Sequence, residues 1–225
     1  MSPNATDSSR SRRRSLPRLH VVTDDDVLAR PEFAVAAEAV LRCGPGLALH
    51  LRGPSVDART LLRLALRLRP VASEAGSVLL VNDRVDVAVE ARLDGVHVGR
   101  RSMPVDAARR MLPPHALVGA SVHDPDGARE AWSEGADYLI VGTIFSTPTH
   151  PGRTGDGTIH LKRVGASGVG PLIAIGGVTV DRLAACIRAG AHGVATLRGV
   201  WDSEDPAAWA STYLDRIADL TEPIE

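Results

Sequence analysis

The chain has 225 residues, of which 44% are hydrophobic and 24% charged, with a formal net charge of -1. That balance describes an ordinary globular protein and gives no broad basic surface for nucleic acid. No apolar run approaches the roughly 20 residues needed to cross a bilayer, which excludes a membrane partner. The two cysteines, Cys43 and Cys186, fall inside helical patterns without metal-ligand spacing, so neither a disulfide framework nor a zinc site is expected and a reducing, cytoplasmic setting fits.

Residues 1–16 are polar and rich in Arg and Ser, and read as a flexible tail. From residue 17 to 220, short apolar runs alternate with longer amphipathic stretches, the pattern of a parallel sheet with crossover helices. In chain order the strand candidates are 18–23, 47–52, 77–82, 95–98, 116–121, 137–142, 171–176 and 193–197. Helical patterns lie between them at 31–42, 57–75, 124–135 and 179–190, and residues 221–225 form a short C-terminal tail. Asp124, Thr179 and either Ser203 or Asp205 are placed to start helices, while Gly135 and Gly190 are placed to stop them. Pro70 interrupts the second pattern and predicts a kink or an end near Leu68. Eight β/α units in about 200 residues, without a strand-order break, predict an α/β fold closed as a single-domain (β/α)8 TIM barrel.

In such a barrel the chemistry sits at the C-terminal ends of the strands, and the last two strands commonly carry a phosphate site. Here the seventh runs into Gly176 and Gly177, and the eighth into Leu197, Arg198 and Gly199. Side-chain-free positions let an anion approach backbone N–H groups, so the two turns are read as converging on one phosphate, with Arg198 able to reinforce the grip. Four of the eight histidines, His50, His97, His123 and His150, also fall at or just beyond strand C-termini. His20, His115 and His192 lie near strand starts and read as structural, and His160 lies near a helix start.

These segments, read in series, resemble the thiamine phosphate synthase and thiazole tautomerase (TenI-like) barrels over nearly all of residues 19–210. The resemblance rests on LHVVTDD (19–25), LHLR (49–52), VNDRVDVA (81–88), DGVHVG (94–99), GASVHD (119–124), GADYLIVGTIFSTPTH (135–150), AIGGVTVDRL (174–183) and AGAHGVATLRGV (189–200). A synthase of this family joins a pyrimidine pyrophosphate to a thiazole phosphate and uses Mg²⁺ with several cations. Its Gln-x-Arg-x-Lys grip here reads His50, Arg52, Pro54, and its two metal carboxylates fall at Asp83 and Ser102, the latter preceded by Arg100 and Arg101. Its Thr-x-Thr-Lys becomes Thr147, Pro148, Thr149, His150.

Those losses favour the tautomerase branch, which aromatises a carboxythiazole phosphate without metal or cofactor. By that resemblance His123 is the catalytic proton carrier and Arg52 stabilises a carboxylate or developing anion. Asn82, Asp83, Ser121, Thr147, Thr149, His50, His97 and His150 bind substrate, and Gly176, Gly177, Leu197 and Arg198 hold the phosphate. Two alternatives stand beside this: a divergent synthase, for which alone Mg²⁺ is expected, and a non-catalytic thiazole or thiamine phosphate-binding regulatory barrel. The expected partner is a small phosphorylated thiazole, with a homodimer possible on the apolar helix faces.

Overall fold

The computed structural model describes residues 15–147 and 157–221. Eight parallel strands close into a barrel in sequence order, each hydrogen-bonded to the next and β8 back to β1. The strands are β1 (Leu19–Val22), β2 (Leu47–Leu51), β3 (Val78–Asn82), β4 (Gly95–Val98), β5 (Leu117–Val122), β6 (Tyr138–Gly142), β7 (Leu172–Ile175) and β8 (Gly193–Thr196). The helices in chain order are α1 (Asp25–Leu28), α2 (Phe33–Leu41), α3 (Ala58–Ala75), α4 (Val85–Glu90), α5 (Val105–Met111) and α6 (Pro125–Ser133). They continue with α7 (Thr158–Gly165), α8 (Leu183–Arg188), α9 (Arg198–Trp201) and α10 (Pro206–Thr221). No helix among the described residues is long and apolar enough to cross a membrane.

Strands covered on both faces read as continuous apolar runs, which is why the sequence marks them so clearly. Their outward residues, such as Leu19, Leu49, Val81 and Val141, join the helices in one large core. Inward residues Val22, Ala48, Leu80, Tyr138, Ile140 and Ala195 fill a second, smaller core inside the barrel. Three histidines share that interior: His20, His50 and His97 are buried and their rings lie 5.0–6.4 Å from one another or from Tyr138. Tyr138 fits only because Gly119 stands opposite in register; a Cβ there would lie 2.1 Å from Tyr138 Cζ.

The helix signals hold at several ends. Asp124 caps α6 by accepting from Gly127 N at 2.8 Å, Asp205 accepts from the Ala207 and Ala208 amides, and Gly135 and Gly190 follow α6 and α8 at positive φ. Thr179 precedes a short 3-10 turn over Val180–Arg182 but makes no side-chain cap. The expected end near Leu68 does not occur, since α3 continues through Pro70 to Ala75. Pro70 and Leu66, whose carbonyl loses its usual donor, both lie on the exposed face of α3, where water can satisfy that oxygen.

Candidate active site

At the strand C-termini opens a cavity of about 980 Å³. The β1 and β2 ends are tied by Thr23, whose hydroxyl donates to the Arg52 carbonyl and accepts from the Arg52 amide, both at 2.8 Å. This fixes the backbone from which the Arg52 side chain leaves. At the end of β3, Asp83 adopts φ 61° and its Oδ1 accepts from Gly99 N at 2.8 Å, joining the β3 and β4 loops. Asn82 lines the cavity one residue earlier.

His50 and His97 line the same cavity but are 0% and 1% exposed, so they form its floor rather than its walls. His97 Nε2 lies 2.8 Å from Ser121 Oγ, which joins that floor to β5. Burial lowers the pKa of His50 from 6.5 to about 4, opposed by its contact with Asn82. Burial also pushes His97 well below the ordinary histidine value, with the positive ends of His50 and Arg52 acting in the same direction. Both rings are therefore neutral near pH 7.

His123, just past β5, is exposed, and its Nδ1 lies 3.0 Å from the Gly142 carbonyl. A carbonyl only accepts, so Nδ1 carries a proton, and the neutral form of the ring has its lone pair on Nε2. His123 immediately precedes the Asp124 cap at the start of α6.

The β7 turn also lines the cavity. Gly176 and Gly177 have φ 101° and 59°, and Cβ atoms there would come within 2.6 Å of Thr143 Cγ2 and 2.5 Å of Ser146 O. Only glycine fits where the β6 loop lies so close. Leu197 and Arg198 border the cavity at the start of α9. The Arg198 guanidinium, however, is held by Asp24 at 2.8 Å, Asp26 at 3.2 Å and Asp202 at 3.4 Å. Three carboxylates thus surround the guanidinium expected to reinforce a phosphate grip.

Among the described residues six arginines line the cavity, Arg52, Arg84, Arg100, Arg101, Arg182 and Arg198, against one carboxylate, Asp83. Arg84 pairs with Asp86 at 2.9 Å, and Arg182 donates to Gly177 O at 2.7 Å while lying over the Phe145 ring. Among the described residues no hydrogen bond or ion pair engages the guanidiniums of Arg52, Arg100 or Arg101. Arg84 and Arg182 escaped the sequence reading, although both stand inside segments that carry the resemblance, VNDRVDVA and AIGGVTVDRL. Thr147 also lines the cavity, whereas Thr149 and His150 lie outside the described residues.

The Mg²⁺ that the synthase alternative implies does not fit a pair of protein carboxylates here. Asp83 stands alone with one oxygen taken by Gly99 N, Ser102 supplies no charge, and the described residues hold no group of three potential metal ligands.

Comparison with known proteins gives a consistent result. Residues 19–200 match the TMP-TENI family, described as thiamine monophosphate synthase. The thiamine-phosphate synthase of Methanoculleus marisnigri is 39% identical over 201 residues, covering 89% of this chain and 95% of that protein. That of Gloeobacter violaceus is 38% identical over 213 residues, covering 95% of this chain but 61% of its own length, so the chain spans about three fifths of that relative. Among solved structures, the thiamine phosphate pyrophosphorylase from Pyrococcus furiosus superposes with a TM-score of 0.78 at 27% identity, covering 91% of this chain and 97% of that one.

Proposed function

We propose, from the premise that this chain belongs to the thiamine monophosphate synthase family, that its cavity joins a pyrimidine pyrophosphate to a thiazole phosphate and releases pyrophosphate. The observation that carries this reading is the division of the cavity lining into a glycine-rich side and an arginine-rich side. Gly176, Gly177 and the Leu197–Arg198 turn offer backbone amides on the β7–β8 side, and Arg52, Arg84, Arg100 and Arg101 stand on the β2–β4 side. A carboxythiazole phosphate, with one phosphate and one carboxylate, would engage fewer of these arginines than a pyrophosphate beside a monophosphate. Two phosphorylated substrates use both sides.

In the reaction a bond forms from the thiazole ring to the pyrimidine while the bond to pyrophosphate breaks. Negative charge grows on the departing group, and stabilising it lowers the barrier. Planar guanidiniums suit this task because each can donate two parallel hydrogen bonds to phosphate oxygens. The expected loss of the pyrophosphate grip at Pro54, Ser102 and His150 is thus offset by arginine, with Arg52, Arg100 and Arg101 lacking a carboxylate partner among the described residues. The synthase names of the relatives favour the same side of the family.

A second reading, thiazole tautomerase, is favoured by one specific observation: the Nδ1–H···O=C bond to Gly142 leaves His123 Nε2 as a base at the site. In that reading His123 takes a ring proton and helps return one at the exocyclic carbon of a carboxythiazole phosphate. Supplying both transferase substrates and, separately, the carboxythiazole phosphate tests the two. Thiamine phosphate in the first reaction supports the transferase; ultraviolet evidence of aromatisation in the second alone supports the tautomerase.

A further inference from the structure

Helices α10, α2 and α3 lie side by side on the outside of the barrel, with α2 packed between the other two. Each returns from the strand C-termini, so the three run in the same direction. On α3, Arg59, Arg63 and Arg67 stand four residues apart on the exposed face, and the helix carries four arginines against Glu74 alone. Beyond α2, the segment 202–221 that ends in α10 exposes Asp202, Glu204, Asp205, Asp215 and Asp219 against Arg216 alone.

The helix between these two strips is nearly uncharged. Its one ionisable side chain, Glu38, accepts from Arg67 Nε at 2.8 Å. Its outward face is apolar, with Val35 63% exposed and Ala34 and Ala39 half-buried. Leu66 of α3 and Trp209 of α10 add exposed apolar surface on either side.

An apolar seam edged by a basic helix on one side and an acidic helix on the other is complementary to its own copy. Two directions of a twofold axis lying in this face bring copies together. An axis running across α2 sets α3 on α3 and α10 on α10, which opposes like charges and is repulsive. An axis running along α2 sets α3 of each copy on α10 of the other, N-terminal ends level. Arg59 and Arg63 then come near Asp202 and Glu204, while Arg67 and Asp215, each the tenth residue of its helix, stand at one height.

We propose that this face is the interface of a homodimer whose twofold axis runs along α2. The seam around Val35 forms its apolar centre, and two basic–acidic strips form its rim and fix its register. Val35, Leu66 and Trp209 stand apart from the residues that line the cavity, so association and substrate binding can be read separately.

Sedimentation velocity of the full-length protein at low salt tests the proposal. The native protein should be a dimer. Two variants reverse exposed charges, one with Arg59→Glu and Arg63→Glu, the other with Glu204→Lys and Asp215→Lys. Each alone opposes like charges and should raise the dissociation constant at least about tenfold. An equimolar mixture should restore a dimer, because every reversed strip then meets its opposite. Circular dichroism checks that both variants fold, and the native protein supplies an arm that needs no variant: about 1 M NaCl, which cuts the screening length to about 3 Å, should weaken its dimer at least about threefold. Val35→Asp should weaken the dimer as well, without rescue by mixing. A native protein that is monomeric at about 100 μM, well above the micromolar range of a specific complex, would overturn the proposal. So would a dimer indifferent to salt and to both reversals, or two folded, weakened variants that mixing does not restore.

Discussion

His123 and the cavity arginines make different demands on the chemistry, so substituting them separately distinguishes the readings. Removing a general base commonly costs 10² to 10⁴ in rate, whereas a residue that only lines a transferase site costs far less. His123→Gln should therefore change thiamine phosphate formation by less than about tenfold, a magnitude below that general-base range, as followed in a coupled pyrophosphate-release assay. The paired change Arg100→Ala and Arg101→Ala removes two guanidiniums and should raise the KM for the pyrimidine pyrophosphate by at least about tenfold, at about 1.5 kcal/mol or more per charged hydrogen bond lost. An unchanged KM would remove both from the pyrophosphate site. The buried histidines make a further prediction, for stability. Because His50 falls from 6.5 unfolded to about 4 folded, the unfolded chain binds more protons between those values. Stability is then fully present above about pH 6.5 and is lost as pH falls towards 4, by an amount on the order of 3 kcal/mol for this group. His20 and His97 shift in the same direction. Urea midpoints at pH 7.5 and 4.5 should differ less in His50→Gln than in the native protein.

At the scale of elements, the strands were legible because both of their faces are buried and their residues are apolar throughout; the expected and observed ends differ by a residue or two. The glycine pair after β7 was legible for a related reason, since two positive-φ residues packed on the β6 loop tolerate no side chain. Contacts made across the barrel were not. Nothing in the sequence near His50 announces His20, thirty residues earlier, because β1–β2 register brings them together. The Arg198 carboxylate partners were hidden in the same way, as Asp24 and Asp26 approach from the far end of the chain. Helix α3 shows a local signal overruled by its surroundings: Pro70 stands on a solvent face, where the missing N–H is tolerated. Pro70→Ala should consequently restore that bond and stabilise the fold by about 2 kcal/mol, the helix-propensity gain of about 3 less up to about 1 for the loss of proline's restraint on the unfolded chain. Thermal denaturation measures it, and a lowered midpoint would mean that Pro70 packs in a way the helix needs.

For the molecule as a whole, the closed barrel collects eight strand ends around one cavity, and the order of the strands decides which chemistry meets which. Amide-bearing turns from β7 and β8 stand on one side and the arginines of β2 to β4 on the other, over a floor of neutral histidines. That division is what two phosphorylated substrates would require of a single site. The most direct measurement is a single incubation of the purified full-length chain with pyrimidine pyrophosphate and thiazole phosphate, product being read by chromatography, with and without added Mg²⁺. Formation of thiamine phosphate together with stoichiometric pyrophosphate is the predicted result. No product under either condition, from protein that aromatises the carboxythiazole phosphate, would contradict the transferase account and leave His123 as the centre of the site.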